Sequence, residues 1–265
     1  MVRKNFVAGM ENFIPSVNDS PYKRIFAVGD VHAAFDKLIA LWEKISVKDD
    51  DLVIFLGDYF YVPESKNVET LQWILEHYQN KNIIFLRGNT DDEFLNYYYY
   101  SLKFIINNPD RRESALKEIE YNIDGFSQAV QTDIDFPKKF FDFLDNIPNY
   151  YFIEVGGKKF FFCHAGVNPK CSLDEQKKFQ LIGYEYEENF YRNYFGDALI
   201  VVGHKTPKKI FKEFPEIFPD DTENISKFLP LKIPQKNILM LDTRAREPEG
   251  FLTCVDILTG EFWQS

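Results

Sequence analysis

Ile25-Phe26-Ala27-Val28-Gly29-Asp30-Val31-His32 begins with four apolar residues and ends, after a glycine, on a carboxylate and an imidazole. An apolar run of this length and composition reads as a buried strand, and the residues at its tip are of types that do chemistry. The arrangement recurs along the chain. Residues 52–56 precede Asp58, 83–86 precede Asn89, 160–163 precede His164, 198–202 precede His204, and 238–241 precede Asp242. Helix-like stretches at 34–45 and 68–78 separate the first three runs. The resulting βαβαβ order predicts an α/β fold with a parallel sheet and right-handed crossovers. In such sheets ligands sit beyond the carboxyl ends of the strands. Gly29, Gly57, Gly88 and Gly203 fall at those ends, where a chain turns sharply or brings its backbone close to a bound group.

Outward from these runs the pattern changes. Longer helical stretches at 94–106, 112–119 and 136–144 predict a helical insertion over the site, spanning 92–148. Residues 206–236 hold Pro207, Pro215, Pro219, Pro230 and Pro234, which break long elements and imply an irregular loop. Residues 1–22 form an N-terminal extension, and with no internal repeat the 265 residues read as a single domain. A net charge of −10 opposes binding to a nucleic-acid backbone. A phosphorylated substrate therefore requires locally concentrated positive charge. Cys163, Cys171 and Cys254 form no C-x-x-C pair and leave one unpaired under any disulfide scheme, so they read as small hydrophobic fillers in a reducing compartment. No signal-peptide-like stretch opens the chain and no 18-residue apolar run occurs, which makes the expectation a cytoplasmic protein with no membrane partner.

Asp30, His32, Asp58, Asn89, His164 and His204 supply carboxylate, amide oxygen and imidazole, a donor set suited to manganese, iron or zinc rather than soft copper. Three of the four histidines stand directly after expected strands; His77, inside a helical stretch, reads as an ordinary surface or half-buried histidine. Any one Asp or His at a strand end is best explained as a turn or cap residue. Six recurring together at strand ends point instead to a metal site.

These residues resemble the calcineurin-like metallophosphoesterases, and among them the small bacterial serine/threonine phosphoprotein-phosphatase branch, over residues 24–264. The family's G-D-x-H-G is similar to Gly29-Asp30-Val31-His32-Ala33, and its G-D-x-x-D-R-G to Gly57-Asp58-Tyr59-Phe60-Tyr61-Val62-Pro63. Its R-G-N-H-E resembles Arg87-Gly88-Asn89-Thr90-Asp91, its H-A-G His164-Ala165-Gly166, and its G-H-T-P Gly203-His204-Lys205-Thr206-Pro207 with one residue inserted. Leu241-Asp242-Thr243 and the tail 251–263 resemble the family's closing segments. The resemblance implies a sandwich of two mixed sheets flanked by helices. It also implies two divalent ions, manganese first and iron or zinc as alternatives, hydrolysing a phosphate ester without a covalent enzyme intermediate. By that likeness Asp30 and His32 hold the first ion, Asp58 bridges, and Asn89, His164 and His204 hold the second. Two carboxylates against two dications leave about +2, which is the local positive charge the acidic chain needs. Arg192, in Phe190-Tyr191-Arg192, resembles the family's W-x-R phosphate clamp, and Asp242 is expected to orient a liganding histidine.

The chain departs from the family at its general acid. The imidazole and carboxylate of that dyad are replaced by Thr90 and Tyr61, the neighbouring phosphate-binding arginine by Val62, and the glycine ending the first motif by Ala33. A general acid contributes about 10² to 10⁴ in rate. Asp91, Asp92 and Tyr61 are the remaining donors in these motifs, and Asp91 is the catalytic candidate carried beside Asp58 and Arg192. The expected function is metal-dependent hydrolysis of a phosphoprotein, nucleotide or small phosphate ester. The alternatives are a pseudophosphatase that binds metal or phosphate, a phosphodiesterase or nucleotide hydrolase, and a purely structural metalloprotein.

Overall fold

All six apolar runs are strands in the computed structural model, which describes residues 5–10, 20–61, 66–184, 187–218 and 226–265, the side chains of 187–189 excepted. In chain order the strands are β1 (Asn5–Phe6), β2 (Arg24–Val28), β3 (Asp51–Phe55), β4 (Ile83–Phe85), β5 (Tyr150–Val155), β6 (Lys158–Cys163), β7 (Leu199–Val202), β8 (Leu231–Lys232), β9 (Ile238–Met240), β10 (Thr253–Asp256) and β11 (Glu261–Gln264). The helices are α1 (Phe35–Ile45), α2 (Asn67–His77), α3 (Asn89–Asn107), α4 (Glu113–Asn122), α5 (Phe126–Thr132), α6 (Phe136–Asn146), α7 (Lys178–Leu181), α8 (Glu187–Asn193) and α9 (Pro207–Glu213).

The strands form two mixed sheets, ordered β1-β11-β10-β2-β3-β4 and β5-β6-β7-β9-β8. β2, β3 and β4 run parallel, as do β6, β7 and β9. Their apolar runs are continuous rather than alternating because both faces are covered. Ile25, Ala27, Leu52 and Ile54 turn inward against Phe160, Phe162, Leu199 and Leu239 of the other sheet. Phe26, Val28, Val53 and Phe55 turn outward beneath α1 to α6, where Phe126, Phe140 and Phe143 are fully buried. On the far side, Ile200, Val202 and Met240 lie under Phe190 of α8 and Ile210 of α9. The molecule is thus layered helix, sheet, sheet, helix.

Register brings the chemistry to one edge. Val28 pairs with Phe55 and Phe55 with Phe85, while Phe162 pairs with Val201 and Val202 with Met240. The carboxyl ends of the six parallel strands are therefore level, and the residues following them meet above the seam of the two sheets. Residues 92–148 pack as α3 to α6 against the outer face of the first sheet. The segment 206–236 is more regular than its prolines imply. Pro207 occupies the first turn of α9, where the missing N–H costs nothing, and the Thr206 side chain accepts the Lys209 N–H as its cap. Pro219 lies outside the described residues. Cys163 and Cys254 are buried without a disulfide, as expected of fillers, whereas Cys171 is exposed. Among the described residues no helix is long and apolar enough to cross a membrane.

Candidate metal centre

The backbone is bent at the positions that carry the donors. His32, Asp58 and His204 all adopt left-handed conformations, with φ of 48°, 55° and 63°. Non-glycine residues there are costly and concentrate at functional sites. Glycine makes room beside them. A Cβ on Gly88 would stand 2.1 Å from Asp58 Oδ1, and one on Gly203 would stand 1.9 Å from Asp30 Oδ1.

Two triads of donors share Asp58. Asp30, His32 and Asp58 form one and Asp58, His164 and His204 the other, with all ligand atoms of each within 4.8 Å of one another. Asn89 joins the second: its Oδ1 lies 3.0 Å from His164 Nε2 and 3.0 Å from His204 Nδ1, and these two nitrogens are 3.2 Å apart. Asp58 Oδ1 is 3.3 Å from His164 Nε2. Ligand atoms about 2.1 Å from a common ion and at right angles around it lie about 3 Å from each other, so the spacing fits a shared cation. At the first triad, His32 Nε2 is 3.7 Å from an oxygen of each carboxylate. His164 Nδ1 donates to Leu56 O at 2.9 Å, which fixes the tautomer that presents Nε2 as a lone-pair donor. The backbone N–H of His204 bonds both oxygens of Asp30, tying the two sheets together at the site.

The electrostatics are those of carboxylates crowded without a counter-ion. Burial, then the charges of Asp242 and Asp58, raise Asp30 well above the usual carboxylate range. Burial opposes the Asp58 carboxylate too, but His164, His32 and the Thr90 N–H prevail and hold it well below that range. Burial alone would lower the His164 imidazole; the carboxylates of Asp58, Asp30 and Asp91 lift it to about 10. His32 is lowered, by burial first. A dication would relieve the like-charge crowding of Asp30, Asp58 and Asp242.

His32, Asp58, Asn89 and His204 line a cleft of about 190 Å³, whose walls include Thr90, Thr206, Lys209, Asp242, Arg244 and Arg246. A wider groove of about 750 Å³, lined by Phe60, Tyr61, Phe94 and Tyr98, adjoins it at Thr90. The model of the calcineurin-like phosphoesterase family matches residues 23–229. The chain belongs to that family. As a calcineurin-like phosphoesterase it is a hydrolase of phosphoric esters, and its two mixed sheets flanked by helices are the fold seen in similar solved structures. One, described as a candidate diadenosine tetraphosphatase, is 16% identical with a TM-score of 0.54, covering 99% of this chain and 98% of that one. Another is a protein serine/threonine phosphatase from Saccharomyces cerevisiae with similarity to human phosphatase PP5, 15% identical with a TM-score of 0.51, covering 91% of this chain and 75% of that one. No curated protein sequence matches this phosphoesterase.

Two residues expected at the centre of this phosphoesterase are placed elsewhere. Asp91 is fully buried, its oxygens accepting the N–H groups of Asp58, Tyr59 and Gly88 at 2.8–2.9 Å. It clamps the turn after β3 to the start of α3, and that engagement leaves it no access to a substrate in the cleft. Arg192 is absent from the cleft walls: its Nε bonds Glu216 Oε1 at 2.8 Å and its guanidinium stacks 4.9 Å from the Phe214 ring. Asp92 likewise is held by Arg87 at 3.1 Å and Lys178 at 2.5 Å. His77 stacks on Trp73 at 4.1 Å, remote from the donors. Asp242 does line the cleft, where its Oδ1 accepts the Arg244 N–H at 2.9 Å. Lys209, Arg244 and Arg246 escaped sequence reading. Their one signal was position, just after His204 and Asp242.

Proposed function

We propose that the protein is a dinuclear-metal-dependent phosphatase in which Asp30 and His32 hold one divalent ion, Asn89, His164 and His204 the other, and Asp58 bridges. The observation that carries this reading is the convergence of Asn89 Oδ1, His164 Nε2 and His204 Nδ1 to 3.0–3.2 Å, beside Asp58. The oxygen and nitrogen donors suit manganese, with iron or zinc as alternatives. When bound, such ions supply Lewis-acid stabilisation of phosphoryl oxygens and a water acidified toward neutral pH.

The residues of the chain do the rest. Asp58 is held in its charged form by His164, and the Leu56 carbonyl orients that imidazole. Arg246 and Lys209 at the cleft walls add positive charge that draws a phosphate into an otherwise acidic protein. The similarity to a serine/threonine phosphatase fold makes phosphoprotein one substrate class to assay, and the candidate tetraphosphatase makes nucleotides another. The test is elemental analysis after loading with Mn²⁺, together with turnover of p-nitrophenyl phosphate by the native protein and by Asp58→Asn. Two ions per chain and activity abolished in the variant are expected. Near-zero occupancy in folded native protein would overturn the reading.

A further inference from the structure

Asn89, His164 and His204 stand on three separate connections, after β4, β6 and β7. One ion can use all three only if each donor is held within about 0.5 Å of its place. For His204 the sheets do half of this. Its backbone N–H is fixed on Asp30, but the second side-chain torsion of a histidine is broad and roughly two-fold, so the backbone does not decide where Nδ1 points. A second contact must set the ring.

The segment 177–184, which contains α7, folds onto all three donors. Its Leu181 carbonyl accepts the N–H of Ala165, the neighbour of His164, at 2.8 Å. The Tyr184 hydroxyl donates to the Asn89 carbonyl at 3.3 Å. Lys178 pairs with Asp92 at 2.5 Å and Asp92 with Arg87 at 3.1 Å, so these ion pairs flank Asn89 on both sides along the chain. Leu181 and Ile182 are buried in the core that contains Phe190, which seats the segment. Gly183 then lies against the His204 imidazole. A Cβ on it would stand 2.8 Å from Nε2 and 2.9 Å from Cε1, with Ala165 Cβ 3.1 Å away. The backbone itself therefore packs on the Nε2–Cε1 edge of the ring, while Nδ1 faces Asn89 and His164. Gly183 also has a φ of 99°, which residues with side chains rarely adopt. Conformation and contact both require glycine here. The first triad is held from elsewhere: the His32 N–H bonds Asp58 O at 2.7 Å, and Tyr61 meets the His32 ring edge-on at 5.6 Å.

We propose that the segment 177–184 is a strap that fixes the donors of the second ion, with Gly183 the positioning residue that sets the His204 ring; this rests on the dinuclear reading above. A methyl group at position 183 must turn the imidazole about its second torsion or lift the strap. Either movement takes Nδ1 out of line with Asn89 Oδ1 and His164 Nε2, and leaves Asp30 and His32 in place.

Stepwise calorimetric titration of metal-free protein with Mn²⁺ tests this. Native protein should show two binding events, and Gly183→Ala should weaken one of them about 10- to 100-fold while the other moves by less than about twofold. In a His32→Ala background, which keeps Asn89, His164 and His204, the single remaining event should weaken by a similar factor. Tyr184→Phe leaves the backbone unstrained and should weaken the same event about threefold; it carries the test if Gly183→Ala does not fold. Turnover of p-nitrophenyl phosphate by Gly183→Ala should fall at two equivalents of Mn²⁺ and recover when the metal is raised about 100-fold, which a lost catalytic group or a lost fold would not allow. Two events weakened alike, or both events indifferent to Gly183→Ala and Tyr184→Phe, would overturn the inference and leave the dinuclear reading standing. Native protein that takes up no ion would remove both.

Discussion

A methyl group on Gly203 would lie 1.9 Å from one oxygen of Asp30 and 3.1 Å from its Cγ. Gly203→Ala must therefore push that carboxylate aside, while the change itself is small enough for the strand behind it to persist. The expected outcome is loss of about one metal ion per chain by elemental analysis, from the Asp30 and His32 side, with little change in far-UV circular dichroism. His164 supports a second prediction. Its pKa of about 10 in the metal-free protein means that it is protonated at pH 7.5, and a ligand nitrogen must be neutral. Metal uptake at that pH should release about one proton from this residue, visible as a dependence of the calorimetric enthalpy on buffer ionisation. The sign for stability follows from linkage. Because the folded value lies above the unfolded value of about 6.5, the pairing of charged His164 with its carboxylates contributes fully below pH ~6.5 and is lost as pH rises through about 10. Metal-free protein should thus melt at progressively lower temperature across that window.

At the scale of elements, the segment following β9 is tied to its neighbours by a set of polar contacts centred on Lys37. Lys37 of α1 caps three of its carbonyls, and the Thr243 hydroxyl bonds Phe251 O at 2.7 Å. Lys37→Met keeps the aliphatic stem and removes the three bonds. It should cost about 2–3 kcal/mol in denaturant unfolding. It should also raise KM more than it lowers kcat, because Arg246 would lose its fixed place at the cleft. Equal KM for the variant and native protein would show that this connection between β9 and β10 is positioned by other means. The start of α3 illustrates how an element hides a residue. Asp91 looks from its motif like a side chain next to the reaction, yet it caps the helix and the preceding turn together.

At the scale of the molecule, the first sheet delivers Asp30, His32, Asp58 and Asn89, and the second delivers His164, His204 and Asp242. An ion held by both sheets binds the native arrangement and not the unfolded chain. At a free concentration 100 times Kd it stabilises by about 2.7 kcal/mol, so removal of metal with EDTA should lower Tm by several degrees, and readdition of Mn²⁺ should restore it. Sequence alone marked the six apolar runs that form β2, β3, β4, β6, β7 and β9, the parallel order of the first three, and the polar residues that follow each run. Strands buried on both faces must be apolar throughout, so each run ends visibly where the chain reaches the edge. It left β5, β10, β11 and α5 unassigned, since β10 and β11 mix polar with apolar residues, β5 is an edge strand and α5 is short. Tertiary structure alone decided which polar residues reach the cleft. Arg192 is drawn to Glu216, 24 positions along the chain, and Asp91 to backbone N–H groups 33 and 32 positions back. Arg246 reaches Tyr61 across 185 positions. A motif specifies neighbours in sequence, but a charged side chain goes to whatever partner the packed layers place within reach.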